Sequence, residues 1–281
     1  MTRASYVINS RGEKEPFSFG KVYGSARKVG ASKKLAREIA EIIGREAYPG
    51  IKTFEIFRKV RKLLNREIPK AALRFNLKKA MQALGPTGFP FEKYIGDVFS
   101  RQGFKVKLNQ IVPGQCLHYE IDFLARKDNL LYIGECKYRN SSEGLVHSDI
   151  ALSSHARFLD IKSGNFLNRN GYADLQVRSI LVTNNRFTKD AIRFSKCVGN
   201  ELLGWKYPKN EGLEYLIDNQ NLYPITTLSS LRKELAPVFV AREMMLAEDV
   251  LKIDPIKFAR EARVPPESLI ALVKEARILL E

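Results

Sequence analysis

The chain is short of the residues on which extracellular scaffolds and zinc modules are built. Its three cysteines, Cys116, Cys136 and Cys197, are odd in number, far apart and without C-x-x-C spacing. Neither a disulfide framework nor a zinc ribbon is indicated, and buried, reduced thiols are the expectation. Histidine is as scarce, and His147 and His155 have no third metal-type ligand at a workable spacing. No apolar run is long enough to cross a bilayer, and the opening MTRASYVINS lacks the apolar block of a secretory signal. The expectation is a cytoplasmic protein with no membrane partner. Acidic residues are in deficit, with 31 Asp and Glu against 47 Lys and Arg, for a formal charge of +16. Residues 1–85 carry most of that imbalance, with 20 Lys and Arg against 7 Asp and Glu. Such an excess fits a partner whose phosphates it neutralises, and it equally fits a solvated basic face.

At 281 residues the chain can form two or three modest domains, each with its own core. Its most informative stretch is HYEIDFLARKDNLLYIGECKY, residues 118–138. Apolar and polar residues alternate through Tyr119, Ile121 and Phe123, then through Leu131 and Ile133, with turn chemistry at Lys127, Asp128 and Asn129. This pattern predicts a β-hairpin. Side chains on a strand alternate faces, so Glu135 and Lys137 share one face, Cys136 takes the other, and Asp122 can join the first from the preceding strand. Two carboxylates beside an ammonium suit a hard divalent cation, with lysine orienting water or offsetting phosphate charge. An acid and a base two apart on a strand are also the ordinary form of a solvated ion pair.

The order Asp, then Glu-x-Lys on the next strand, resembles the PD-(D/E)xK nucleases, and residues Phe91 to about Tyr223 resemble their Mrr-type restriction endonuclease branch. The likeness is carried by FEKYIGDVFSRQGF with Glu92, the Asp122 strand, GECKYRN and RSILVTNNRFTKDAIRFSKC. It implies a restriction endonuclease-like mixed sheet flanked by helices over 91–225, with Asp122, Glu135 and Lys137 catalytic. It also implies Mg2+ or Mn2+ held by Asp122, Glu135 and Glu92, with DNA as substrate. Glu92 reads equally well as a favourable charge at a helix N-terminus. Cutting both strands would favour a homodimer by symmetry.

Residues 1–85 read as two short strands and four helices, a small α+β unit. Ser32 and Thr53 are candidate helix caps, and the fourth helix runs from Lys70 to Leu84. This segment resembles the ATP-cone, a nucleotide-sensing module, through V-x-x-x-x-G-x-x-E-x-F followed by Lys21, then GIKT, then RFNLKKAM. The resemblance implies ATP or dATP as effector, with Val7, Glu15, Lys21, Thr53 and Lys78 or Lys79 in contact with it. Asn9 and Ser10 stand where the family carries two basic residues, and Arg11 substitutes only by a one-residue shift. GPTGFP, residues 85–90, forms a linker. Further on, Asp149 to Ile161 reads as a helix, followed by the loop GNFLNRNGYADL, the strand RSILVTN, the helix KDAIRFSKCVG and the strand ELLGW. From about Thr227 the chain is helical, with LSSLRKELAPVFVAREMMLAEDVLK first and Asp254 capping a later helix. The expected fold class is thus α/β and α+β, in three parts at 1–85, 91–225 and 226–281. Two functional classes fit: a DNA endonuclease under nucleotide control, or a non-catalytic, nucleotide-responsive DNA-binding or scaffold protein.

Overall fold

The computed structural model describes residues 6–85, 90–141 and 144–281. Residues 86–89 of the expected linker and 142–143 of the expected polar loop lie outside the described residues.

Strand β1 (Tyr6–Ile8) pairs antiparallel with β2 (Lys14–Pro16) and parallel with β3 (Ile51–Lys52). Helices α1 (Phe19–Lys28), α2 (Lys33–Glu46) and α3 (Thr53–Glu67) pack around Val22, Ala26, Ile39, Ile43, Val60 and Leu64. The Ser18 and Ser32 hydroxyls cap α1 and α2 by accepting from the Lys21 and Leu35 N–H groups. Thr53 does not cap α3. It is the helix's first residue, and Lys52 holds the cap position without a side-chain bond. The helix expected over 70–84 is two helices, α4 (Pro69–Phe75) and α5 (Leu77–Ala83), divided at the buried Asn76. The break lets one apolar run serve two cores. Ala71 and Ala72 stay in the N-terminal core, while Leu73, Leu77, Met81 and Leu84 join a second one with Phe91 and Tyr94.

That second core lies beneath a five-stranded sheet. After α6 (Phe91–Arg101) come β4 (Lys105–Pro113), β5 (His118–Lys127) and β6 (Leu130–Cys136), the last two forming the expected hairpin. Then follow β7 (Leu145–Val146), α7 (Ser148–Ser163), α8 (Phe166–Arg169), β8 (Gln176–Val182), β9 (Arg186–Phe187), α9 (Lys189–Val198) and β10 (Glu201–Leu203). The strand order is β10-β8-β6-β5-β4. Neighbours from β10 to β6 run parallel and those from β6 to β4 antiparallel, so the sheet is mixed. Phe123, Ala125 and Val182 pack towards Tyr94, Val98 and Phe99 of α6. Leu124, Leu131 and Ile133 pack with Ile161 of α7 and with Phe166 and Leu167 of α8, a short helix inside the stretch expected to be loop.

The C-terminal part is more broken than its sequence suggests. After α10 (Leu213–Asn219), which precedes it, it comprises a 3-10 turn at Ile225–Thr227, another at Lys233–Leu235, α11 (Ala236–Ala241), a third at Ala247–Lys252, α12 (Pro255–Ala262) and α13 (Pro266–Leu280). A left-handed Glu243 (φ 56°) ends the first helical run. The Asp254 carboxylate accepts from the Ile256 and Lys257 N–H groups and caps α12 as expected. Phe239, Leu246, Phe258, Leu269 and Leu272 fill the same core as Phe91 and Tyr94, whose hydroxyl donates to the Leu222 carbonyl (2.8 Å). Packing therefore does not divide at 85 or at 225. Among the described residues no helix is long and apolar enough to cross a membrane. The cysteines are free, but Cys116 and Cys197 are exposed rather than buried as expected, and Cys136 is half-buried.

Candidate functional site

The hairpin carries a local irregularity at its most important residue. In the β4–β5 ladder Leu108 faces Phe123 and Gln110 faces Ile121, yet Asn109 and Asp122 between them are unpaired. Asn109 is left-handed (φ 51°), a conformation asparagine tolerates better than most residues. Side-chain alternation fails there. Ile121 packs in the cluster of Leu124, whereas Phe123 packs on the opposite side of the sheet with α6. The expectation that Tyr119, Ile121 and Phe123 share one face is corrected accordingly.

On its other side β5 pairs with β6 only as far as Phe123 opposite Gly134. Gly134 is required because a Cβ there would lie 2.1 Å from the Phe123 ring. Past this point the two strands part, and β6 continues alone against β8, with Glu135 opposite Leu181 and Cys136 opposite Val182. The Cys136 N–H, left without a strand partner on the β5 side, donates to Asp122 Oδ2 at 2.6 Å. The Lys137 N–H donates to the Val182 carbonyl (2.7 Å), and the Lys137 carbonyl accepts from the Thr183 hydroxyl (2.6 Å). Asn184 then clamps the next turn, its side chain bonding both the N–H and the carbonyl of Arg139 (2.8 and 2.9 Å). These bonds fix the backbone that carries Glu135 and Lys137.

Asp122, Glu135 and Lys137 are all half-buried. Burial raises the Asp122 pKa against the Cys136 N–H bond, and the charges of Glu92 and Glu120 raise it further. Glu135 is raised by burial first and then by Asp122, while Arg157 and Lys137 oppose the shift. The Arg157 guanidinium of α7 lies 3.3 Å from both Glu135 oxygens. Burial also pushes the Cys136 thiol well up, helped by Asp122, Glu92 and Glu135. The splayed hairpin end thus brings Asp122, Glu135 and Lys137 within electrostatic reach of one another and adds Arg157, whereas Glu92, expected as a third metal ligand, acts on Asp122 through its charge alone. Sequence reasoning missed Arg157 because it lies 22 positions from its partner on an ordinary helix, with no local signal to mark it.

The N-terminal unit has a pocket of about 240 Å³ whose walls include Val7, Glu15, Phe17, Lys21, Thr53 and Phe57. Four expected nucleotide-contacting residues, Val7, Glu15, Lys21 and Thr53, therefore meet there. Glu15 pairs with Lys21 Nζ (3.1 Å) and accepts from Asn9 Nδ2 (2.8 Å), and these bonds hold its pKa down, Asn9 most of all. Asn9 also bonds Glu13 (2.9 Å). The other three candidates lie elsewhere. Arg11 pairs with Glu13 (3.1 Å), and Lys79 sits over the Phe54 ring at 4.9 Å. Lys78 reaches the sheet instead, where its Nζ donates to the Asn184 carbonyl (2.7 Å) and covers the Trp205 ring at 4.6 Å. Burial there brings its pKa down to about 8, Glu214 opposing and Arg186 and Lys206 adding to the shift. With Lys28–Glu214, Arg74–Asp218 and the Thr226 hydroxyl on the Ala80 carbonyl, Lys78 ties the N-terminal unit to the rest.

No protein-family model matches the chain. It is 32% identical over 182 residues to an uncharacterized protein of Archaeoglobus fulgidus, an alignment spanning 64% of this chain and 96% of that one. The crystal structure of a protein of unknown function, AF1548, superposes with a TM-score of 0.55 at 31% identity, covering 66% of this chain and 94% of that one. The mixed α/β architecture is thus shared with a solved structure, and the chain belongs to the same family as the uncharacterized Archaeoglobus fulgidus protein.

Proposed function

We propose that the chain is a metal-dependent DNA endonuclease of the cytoplasm, with ATP or dATP as effector in the N-terminal pocket. The observation that carries the reading is the pair of half-buried carboxylates, Asp122 and Glu135, brought within electrostatic reach where β5 and β6 part, with Lys137 beside them. Their hard oxygen donors suit Mg2+ or Mn2+, and both carry raised pKa values that a divalent cation would relieve. Among the described residues no group of three or more His, Cys, Asp or Glu could hold a metal ion. The ligand set is therefore the two carboxylates, a number Mg2+ commonly uses, and Glu92 contributes charge nearby. When bound, such an ion supplies Lewis-acid polarisation of a phosphodiester. Asp122 is held in place by the Cys136 N–H, Glu135 by Arg157, and Lys137 orients the attacking water or offsets charge on the phosphate.

The metal reading has a test that does not depend on activity. Both carboxylates have folded-state pKa values above their ordinary 3.8 and 4.5, so ionising them costs stability. The cost is absent below the ordinary values, grows as pH rises above them, and is complete once pH has passed the raised ones. Millimolar Mg2+ is expected to raise Tm at pH 8, by about 2–4 °C per kcal/mol of binding, and to do nothing below the ordinary carboxylate range. Glu135→Gln should shrink the rise. A Tm indifferent to Mg2+ and Mn2+ at pH 8 removes the metal site.

For the effector, Lys21→Ala is expected to weaken ATP about tenfold or more in calorimetric titration, the worth of a charge-assisted hydrogen bond. Unchanged affinity would place the nucleotide outside this pocket. The Arg157 guanidinium on Glu135, a counter-charge already beside one of the two carboxylates, favours a second reading, a nucleotide-responsive DNA-binding or scaffold protein that does not cut. Cleavage assays across metals and DNA forms, with and without ATP and dATP, separate the two.

A further inference from the structure

The helix α3 presents Arg58, Arg61, Lys62 and Asn65, four positions spaced to share one helical face. This face walls a groove of about 580 Å³, closed on the far side by Ser229 and Glu275. Among the described residues Arg58, Arg61 and Lys62 have no carboxylate partner, whereas their neighbour Lys59 is paired with Glu46 (2.6 Å). The one acid in the groove, Glu275, is already engaged by the Ser229 hydroxyl (2.7 Å) and by the Ser230 N–H and hydroxyl (both 3.0 Å). At the start of the same helix Phe54 is 51% exposed, with Arg58 (5.5 Å) and Lys79 (4.9 Å) over its ring. Among the described residues three cations without acidic partners, Arg58, Arg61 and Lys62, thus line one face of α3 over about 6 Å of helix axis.

We infer that this groove is a binding track for the sugar-phosphate backbone of duplex DNA, a partner site separate from the carboxylate pair. The choice between phosphate sources follows from the lining. A free nucleotide needs an apolar slot for its base, which the pocket with Phe17, Phe57 and Phe75 offers. The lining of the α3 groove includes no aromatic ring to take a base and is dominated by a row of cations, which suits successive phosphates and gives no base readout. The inference rests on the reading of the chain as a DNA-acting protein, but not on cleavage.

The test measures binding of the full chain to a fluorescent 20-base-pair duplex by anisotropy, in EDTA, across a salt series. The triple variant Arg58→Gln, Arg61→Gln, Lys62→Gln should bind at least tenfold more weakly near physiological salt. Its log K against log salt should lose about 2–3 units of slope, about 0.9 for each phosphate contact removed. The charge-conserving variant Arg58→Lys, Arg61→Lys, Lys62→Arg should keep both, which separates charge from misfolding. An unchanged affinity and slope in the glutamine variant overturns the inference, as does equal or tighter binding of an RNA duplex of the same sequence. A loss of ATP affinity with DNA affinity intact overturns it too, reassigning the cations to nucleotide. Absence of metal-dependent cutting by the wild-type chain would sink the nuclease reading and leave this result standing.

Discussion

Asp122→Asn is expected to bind DNA as the wild type does and to cut it about 10³-fold more slowly in Mg2+, the scale of losing a charge-stabilising group at a reaction centre. Asparagine keeps the shape and an oxygen for the Cys136 N–H, which donates to no other group on the β5 side, so the splayed hairpin should persist. What disappears is one of two negative charges, and with it the repulsion that adds to burial in raising Glu135. Two readouts then move together. Cleavage falls, and the acid limb of any residual activity moves to lower pH as Glu135 ionises more readily. Single-turnover cleavage of a radiolabelled duplex alongside anisotropy binding measures both. Wild-type rates in Asp122→Asn, or equal loss of binding and cutting, would rule out a metal-assisted role for this carboxylate.

Gly134→Val is expected to be the most damaging single change to the fold, costing about 3 kcal/mol or more. The first added carbon would fall 2.1 Å from the Phe123 ring, which is fully buried and packed 5.0 Å from Phe99. Neither ring nor strand has room to yield, since Phe123 faces Gly134 across the ladder and β8 holds the other edge of β6. Overpacking at such a site shifts the backbone, and the next residue is Glu135. A denaturant melt of Gly134→Val should show the lost stability. Gly134→Val with Phe123→Leu should recover part of it, because the clash and the ring are coupled. A midpoint unchanged from wild type would mean that the strands separate more readily than this geometry allows.

The hairpin and the caps at Ser32 and Asp254 were legible because each depends on residues within a few positions of one another, whereas the mixed sheet, whose β6 and β8 lie 46 positions apart in register, was expected from the family resemblance. The gathering of Asp122 and Glu135 was legible for the same reason, since a short turn fixes which strand positions meet. What escaped were effects of packing between distant segments. Nothing local distinguishes the kink at Asn109, and a strict period of two wrongly gave Ile121 and Phe123 one face. Helix periodicity ran unbroken from 70 to 84, although two cores compete for that run and Asn76 yields between them. The basic helix of the ATP-cone resemblance supplied Lys78 and Lys79 as nucleotide ligands. The fold instead turns Lys78 towards Trp205 and leaves Lys79 on Phe54, contacts made across more than a hundred positions in the first case.

The short helix α5 also decides how this molecule can be taken apart. Leu77, Met81 and Leu84 are keystones of the larger core although they precede the linker, so a boundary drawn at residue 85 severs them from Phe91 and Tyr94. A fragment beginning after the linker would start life with an open wound in its interior. One beginning ahead of Pro69 carries its own plug, and the front half alone, deprived of the sheet, would wear that greasy stripe on its outside.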